Sequence, residues 1–388
     1  MILRRIIHTL AEWGRELQER KFRSFHKRIQ HRVIFDPKRI ESIKDFHLTQ
    51  EQEKAIDEFY LSNYGRKVDY TCHRTYAAYS DSFSPAFMTE DIYIPELDHF
   101  MNIFDAYNSV FEDKNVMPHI AKSVGVKTPQ VICSCIKGFY LDADNCPTTL
   151  DKILETLHNR GRMFIKPSVG SMGGGSCCLV EVKEGIDLKS QQPIKDILAQ
   201  MGNDFVVQEC LVCHESLQKI YPRSVNTFRV FTYRWKDQIH VAPTVLRIGK
   251  GDMDVDNASQ GGLFIGINDK GQLYDYASTK YGERFYEHPD TSLRFSGYTI
   301  PLFPKIIETA LRLHYAMPQV GFSNWDLTID EKGDVVLIEG NLQFGGVWIF
   351  QMACGVPVFG EHTAEMLQWV RKMKALSPSE RKNHAFGY

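Results

Sequence analysis

A lysine closing an apolar run, followed at once by glycines and serines, suits the binding of phosphate. Residues 163–182 read MFIKPSVGSMGGGSCCLVEV, which predicts a strand ending at Lys166-Pro167, a loop and a second strand. In the loop, Gly170, Gly173, Gly174 and Gly175 let the backbone pass close to an anion, while Ser168, Ser171 and Ser176 offer hydroxyls to its oxygens. Lys166 supplies the point charge. No Lys-Ser or Lys-Thr follows the glycines as in a Walker A loop, and no G-x-G-x-x-G opens a helix, so neither of those phosphate sites fits. A flexible glycine hairpin without a ligand is the alternative reading.

A second polar set lies far along the chain. Asn324 to Asn341 reads as a hairpin turning at Asp330 to Gly333, with Asp326 on its first strand and Glu339 and Asn341 on its second. Three oxygen ligands near one end of a hairpin suit Mg²⁺, with Mn²⁺ as a second candidate, and Glu339 could bridge two ions. A solvent-facing polar stripe is the competing explanation. It accounts for Asp330 and Glu331 better than for Glu339, which follows the apolar run Val335 to Ile338, where an unpaired carboxylate would be costly.

The elements that must position these residues follow from periodicity. Residues 1–44 are strongly basic, and Ile6, Leu10, Trp13 and Leu17 recur at helical spacing, so this helix either lies on an anionic membrane surface or packs on its own protein. Thr49 with Gln52 approximates a capping box for a helix reaching Asn63. Tyr64 to Tyr93 is rich in aromatics that either fill a core or present a polar-aromatic face to a sugar. Further helices are expected over Pro95–Tyr107, Asn115–Ser123, Asp151–Asn159, Ile194–Met201, Pro301–Ala316 and His362–Ala375. Strands are expected over Phe205–Gln208, Phe228–Trp235, Ile239–Ile248, Gly262–Asn268 and Leu273–Ala277. Helices alternating with short strands give an α/β or α+β chain.

Composition narrows the function classes. The 388 residues are 43% hydrophobic and 24% charged, which excludes wholesale disorder. The formal charge of −2 gives no global attraction to nucleic acid. Nine cysteines at irregular spacing, with no secretory signal, suggest free thiols in a reducing cytoplasm. Cys210 and Cys213 followed by His214 formally match a haem-attachment or redox pattern, but they follow a strand-like run instead of opening a helix.

Taken in order, these motifs resemble the ATP-grasp superfamily of carboxylate-amine ligases, and most closely its sugar-transfer-associated branch, found with cell-surface polysaccharide biosynthesis such as capsule assembly. Asp113-Lys114 looks like the first nucleotide lysine and Phe164-Ile-Lys166-Pro like the second. The loop Ser168 to Ser176 resembles the phosphate-covering lid, through Ser171, Gly173, Gly174 and Gly175. Glu209, Cys210 and Leu211 look like the adenine-binding hinge, with Glu215 where relatives bind ribose. Asp326, Glu339 and Asn341 match the metal ligands. Ser224 to Arg229, Leu246 to Gly249 and Asp256 to Gly262 resemble the narrower branch, making Arg229 and Arg247 the candidates for γ-phosphate and acyl-phosphate contacts, alongside Lys166. One departure is Asn324, which stands where D-alanine:D-alanine ligases carry an arginine.

The resemblance implies an α+β, ATP-grasp fold in which two α+β subdomains clamp ATP, behind an N-terminal helical or mixed extension. The expected divisions are a basic segment 1–48, a region 49–158, a lid subdomain 159–215 and a metal-bearing subdomain 216–388. It implies an ADP-forming, amide-forming ligase that joins a sugar carboxylate and an amine. The free thiols lead to the cytoplasm as the expected location, and the basic helix of residues 1–44 to peripheral contact with the inner membrane face as a further expectation. An ATP-dependent phosphotransferase and a non-catalytic nucleotide-binding scaffold of a polysaccharide assembly complex are the two alternatives.

Overall fold

The computed structural model describes residues 2–103, 106–169, 177–254 and 256–388. Two antiparallel sheets organise it. The smaller is built from β1 (Val131–Ile136), β2 (Phe139–Asp142), β3 (Gly161–Pro167), β4 (Cys178–Lys183), β5 (Ile186–Asp187) and β6 (Asp204–Glu209), in the order β2-β1-β6-β3-β4-β5. Alternation along β3 and β6 sends Met163, Ile165, Phe205 and Val207 to one face. That face is covered by two amphipathic helices, α2 (Leu150–Leu157) and α3 (Ile194–Met201), through Ile153, Leu157, Ile197 and Leu198. Phe164 and Lys166 therefore point the other way. The expected division after residue 158 falls inside this sheet, because β1 pairs with β6 along Cys133–Ile136. Sequence distance hid that partnership.

The larger sheet comprises β7 (Thr227–Trp235), β8 (Gln238–Val241), β9 (Thr244–Ile248), β10 (Leu263–Ile267), β11 (Ala277–Ser278), β12 (Arg284–Phe285), β13 (Phe322–Ile329) and β14 (Val335–Asn341). Its order is β12-β11-β10-β9-β7-β13-β14, with β8 paired to β7. Phe228, Val230, Trp325 and Leu327 pack beneath the helix α4 (Phe303–Tyr315), whose Ile306, Ala310 and Leu313 close that face. The opposite face carries Phe231, Tyr233 and Phe322, covered by residues of the N-terminal region and by α6 (His362–Ala375), with α5 (Trp348–Cys354) beside them. The chain is α+β.

Several expectations change on inspection. The strand expected over Ile239–Ile248 is broken into β8 and β9 at Ala242-Pro243, where proline has no N–H to give a ladder. Leu273–Ala277 contributes only an isolated bridge from Leu273 to Ile267 before the two-residue β11. The helix expected over Pro95–Tyr107 is interrupted: a π-helical turn, Tyr93–Asp98, is followed by short α-helical segments at His99–Met101 and Ala106–Phe111, and positions 104–105 lie outside the described residues. Pro95 cannot extend an α-helical ladder there, and Asn102 leaves helical geometry so that its side chain can donate to Leu342 O at 3.1 Å. By contrast the Thr49 capping box forms, with Gln52 N to Thr49 Oγ1 at 3.2 Å. The aromatics of 64–93 fill the core: Tyr76, Tyr79 and Tyr93 are buried there.

Two buried carboxyls in this N-terminal layer hold the segment from Phe344 to Trp348. Glu90 Oε1 accepts the amide of Trp348 at 2.7 Å, and Asp98 Oδ2 accepts that of Phe344 at 3.0 Å. Burial pushes each carboxyl up to about 7 against these stabilising amides. A raised carboxyl pKa contributes stability that is complete below the unfolded value and lost as pH rises through the folded one. Thermal stability should therefore fall between pH ~4.5 and ~7 for Glu90, by about 3 kcal/mol, and between pH ~3.8 and ~7 for Asp98, by about 4 kcal/mol. Glu90→Gln should flatten the Glu90 part of that slope in melting curves taken across pH, and an unchanged slope would contradict this.

Candidate active site

A cavity of about 730 Å³ lies between the sheets. Its floor is the centre of the large sheet. Arg229 on β7 is the register partner of Asp326 on β13, which in turn is the partner of Glu339 on β14, so the three side chains form one row across three strands. Leu337 and Glu339 are two residues apart and would share a face in a regular strand. A bulge between the Asp326 and Leu327 positions of the pairing leaves Leu337 in the core and turns Glu339 to the Asp326 side. Arg247 on β9 joins from the adjoining row, opposite Thr227.

The charges in this row are tightly interlocked. Arg229 approaches Asp326 with Nε to Oδ1 at 2.6 Å and Nη2 to Oδ2 at 3.0 Å. The first contact is close but poorly aligned, so among the described residues Arg229 Nε and Asp326 Oδ1 have no hydrogen-bond partner in hydrogen-bonding geometry. Arg247 Nη2 lies 3.4 Å from Asp326 Oδ2 and 3.1 Å from Asp256 Oδ1, and its Nε donates to Thr227 Oγ1 at 3.1 Å. Asp256 also accepts the amide of Thr227 at 2.9 Å. Burial raises the Asp326 carboxyl above its ordinary range even with Arg229 and Arg247 opposing it.

The opposite wall comes from the small sheet and the segment before it. Lys114 Nζ meets Glu339 Oε1 at 3.0 Å, and the Lys114 amide donates to Ser168 O at 2.9 Å, tying it to the exit of β3. Burial alone would raise Glu339, but Lys114 and Lys166 outweigh it and hold the carboxyl below its usual value. Lys166 enters the cavity over the ring of Phe164, with Nζ 5.5 Å from the centroid. Enclosure by protein lowers its ammonium pKa, and among the described residues no carboxylate stands within ion-pair distance of it.

Of the expected site residues, Lys114, Lys166, Glu209, Leu211, Arg229, Arg247, Asp326, Glu339 and Asn341 all line this one cavity. Glu209 also pairs with Arg160 at the mouth. Cys210 is half-buried beside it, and burial raises its thiol. Glu215 is not brought in: it opens a short helix, its side chain is 74% exposed, and it reaches Lys219 at 3.4 Å. Ser171, Gly173, Gly174 and Gly175 lie outside the described residues. Asn324 sits behind Gly345, where an added Cβ would collide with its amide, so Arg229 and Arg247 are the arginines that reach the cavity.

Sequence reasoning missed Asp256, Thr227, Gln208, Phe344 and Trp348, all in the lining. Asp256 and Thr227 lie within the stretches Asp256 to Gly262 and Ser224 to Arg229 that the resemblance singled out, and a Cβ on Gly262 would stand 2.7 Å from Asp256 O. Phe344 and Trp348 lie in no such stretch.

The donors suit a nucleotide triphosphate with a divalent cation. Asp326 and Glu339 are carboxylates on paired strand positions, Asn341 Nδ2 is buried without a partner among the described residues, and Lys114, Lys166, Arg229 and Arg247 supply positive charge. Lys114, Arg229 and Arg247 presently neutralise the carboxylates. A phosphate chain arriving with a metal ion would exchange partners in both directions, cations to phosphate and carboxylates to metal.

Residues 96–365, more than half of the chain, match the model of a family described as sugar-transfer associated ATP-grasp. Among solved structures, the chain is similar to L-amino acid ligase from Bacillus licheniformis, with 15% identity, 67% of this chain and 48% of that chain covered, and a TM-score of 0.38. It is also similar to VanG D-Ala:D-Ser ligase from Enterococcus faecalis, with 12% identity, 67% and 61% coverage and a TM-score of 0.40. For N5-carboxyaminoimidazole ribonucleotide synthetase from Thermotoga maritima the values are 14%, 67%, 49% and 0.36. The match thus spans about half to three fifths of the length of those chains. A comparison with curated proteins finds no match.

Proposed function

We propose that this chain, which belongs to the sugar-transfer associated ATP-grasp family, is an ATP-dependent carboxylate-amine ligase that works through an acyl phosphate. The observation that carries the reading is the cross-strand row of Arg229, Asp326 and Glu339 facing Lys114 and Lys166 across one cavity. It offers cations for a phosphate chain and oxygen ligands for a metal.

In the proposed reaction a carboxylate oxygen attacks the γ-phosphorus of ATP, the bond to the β,γ-bridging oxygen breaks, and ADP leaves. An amine nitrogen then attacks the acyl carbon, the acyl C–O bond breaks, and phosphate leaves carrying the carboxylate's oxygen as the nitrogen loses a proton. Lys114 and Lys166 hold the phosphate chain, while Arg229 and Arg247 face the transferring group, so the protein contributes position and charge. Asp326, Glu339 and Asn341 would hold Mg²⁺ or Mn²⁺, which when bound neutralises phosphate oxygens. Leu211 and the end of β6 at Glu209 would flank the base.

The family description suggests a sugar for one substrate. We take the product to be an amide on that sugar, such as an amino acid joined to a uronic acid, made at the cytoplasmic side during cell-surface polysaccharide assembly. Incubation with ATP, Mg²⁺ and carboxylate-amine pairs tests this by ADP release. Release that requires both members supports ligation, whereas a stable phosphorylated product from one substrate alone would make the protein a phosphotransferase.

A further inference from the structure

The 33-residue helix α1 (Ile2–Ile34) separates its charges by face. Its three acids, Glu12, Glu16 and Glu19, turn toward the body. Arg381 pairs with Glu19 and donates to Glu16 at 3.0 Å, and Glu12 accepts the amide of Ser379 at 3.1 Å. Lys27 continues that docked face, reaching Glu96 at 2.7 Å, and Gln30 and Ile34 are buried on it.

The opposite face is different. Leu10, Trp13 and Leu17, three and four residues apart, form one stripe and are 61%, 67% and 39% exposed. Farther along the same face Lys21, Arg28 and Arg32 are exposed. A contiguous apolar stripe in water marks an interaction surface. Tryptophan flanked by leucine is at home at the boundary between headgroups and acyl chains, and cations beside it complement anionic lipid. A second copy of the chain fits less well. Parallel pairing of this face would set Lys21, Arg28 and Arg32 against themselves, and antiparallel pairing would set them against the apolar stripe.

We propose that α1 docks the protein on an anionic lipid surface, with Leu10, Trp13 and Leu17 at the headgroup boundary and Lys21, Arg28 and Arg32 on lipid phosphates. Among the described residues no helix is long and apolar enough to cross a membrane, so the contact is a surface one. The helix also touches the candidate site. His26 stacks on Phe344 with ring centroids 4.6 Å apart, and Phe344 lines the cavity. From Trp13 to His26 the helix rises about 20 Å. The cavity rim is thereby held within reach of a substrate carried on a lipid. That last consequence rests on the proposed ligase reading; the docking does not.

Flotation of the full chain with vesicles tests the docking. The protein should float with equimolar phosphatidylglycerol and phosphatidylcholine at low salt and stay behind with phosphatidylcholine alone. The triple substitution Leu10→Ser, Trp13→Ser, Leu17→Ser should cut the bound fraction at least about tenfold. Each of Lys21→Gln, Arg28→Gln and Arg32→Gln should weaken partitioning about fivefold, and added salt should release the wild type. All these side chains are exposed, so melting temperature and ADP formation on soluble substrates should stay unchanged. Failure of docking and failure of the ligase reading are thus separable. Absence of wild-type binding to the anionic vesicles, or equal binding by the triple variant, would overturn the proposal. So would a wild-type dimer in sedimentation velocity that the triple substitution dissolves without altering flotation.

Discussion

Asp326→Asn should abolish ADP formation, by at least about 100-fold, and destabilise the protein by about 3 kcal/mol. Asp326 stands between Arg229 and Arg247, in contact with both. Removing its charge leaves two enclosed guanidinium groups with Asp256 and the already paired Glu339 to answer them, and an under-compensated charge away from water costs more than the intact pair contributed. A structural role and a functional one are separable. Adding Arg229→Met to Asp326→Asn should restore part of the melting temperature, because the surplus charge disappears, while ADP formation stays lost. Recovery of both together would reduce Asp326 to an architectural ion pair, and the double-mutant cycle reads the coupling directly.

Lys166→Met should weaken ATP binding about 10- to 100-fold, the worth of one charge-assisted hydrogen bond, and leave the melting temperature unchanged or higher. The two effects differ in sign for one reason. Lys166 is enclosed by protein, which lowers its ammonium pKa although Glu339 and Asp326 oppose this from a distance, and among the described residues no carboxylate is within ion-pair reach of it. In the free protein that charge is a cost, which a phosphate chain would offset. Calorimetric titration with ATP alongside a melting curve checks both halves. A variant that binds ATP as the wild type does would make Lys166 a hairpin lysine and no more. Lys114 differs because it already answers Glu339, so its loss would disturb both partners.

What the sequence made legible follows the range of the interactions. The hairpin carrying Asp326, Glu339 and Asn341 could be read because its turn and its alternation are local. The helices Ile194–Met201 and His362–Ala375 form over the residues their periodicity implied. The bulge that turns Glu339 away from Leu337 left no local mark, nor did the pairing that sets Arg229 beside Asp326 across nearly a hundred residues of chain. Non-local strand pairing also joins β1 to β6, which is why a division at residue 158 looked natural. Glu215 was placed by resemblance in motif order alone, and its side chain faces solvent beside Lys219. The exposed stripe of α1 was visible as a period, but which face the body would cover depended on Arg381, near the far end of the chain.

The two walls of the cavity make a joint demand on the chemistry. Under the proposed ligase reading, cations that now neutralise Asp326 and Glu339 would move onto phosphate oxygens, and a carboxylate substrate would meet the transferring group at Arg229 and Arg247. The most direct test supplies ATP, Mg²⁺, an amine and a carboxylate labelled with heavy oxygen, and weighs the phosphate released. Transfer of one labelled oxygen from carboxylate to phosphate, in step with ADP and amide, is the predicted result. Phosphate without the label, released at the same rate whether or not the carboxylate is present, would contradict ligation through an acyl phosphate.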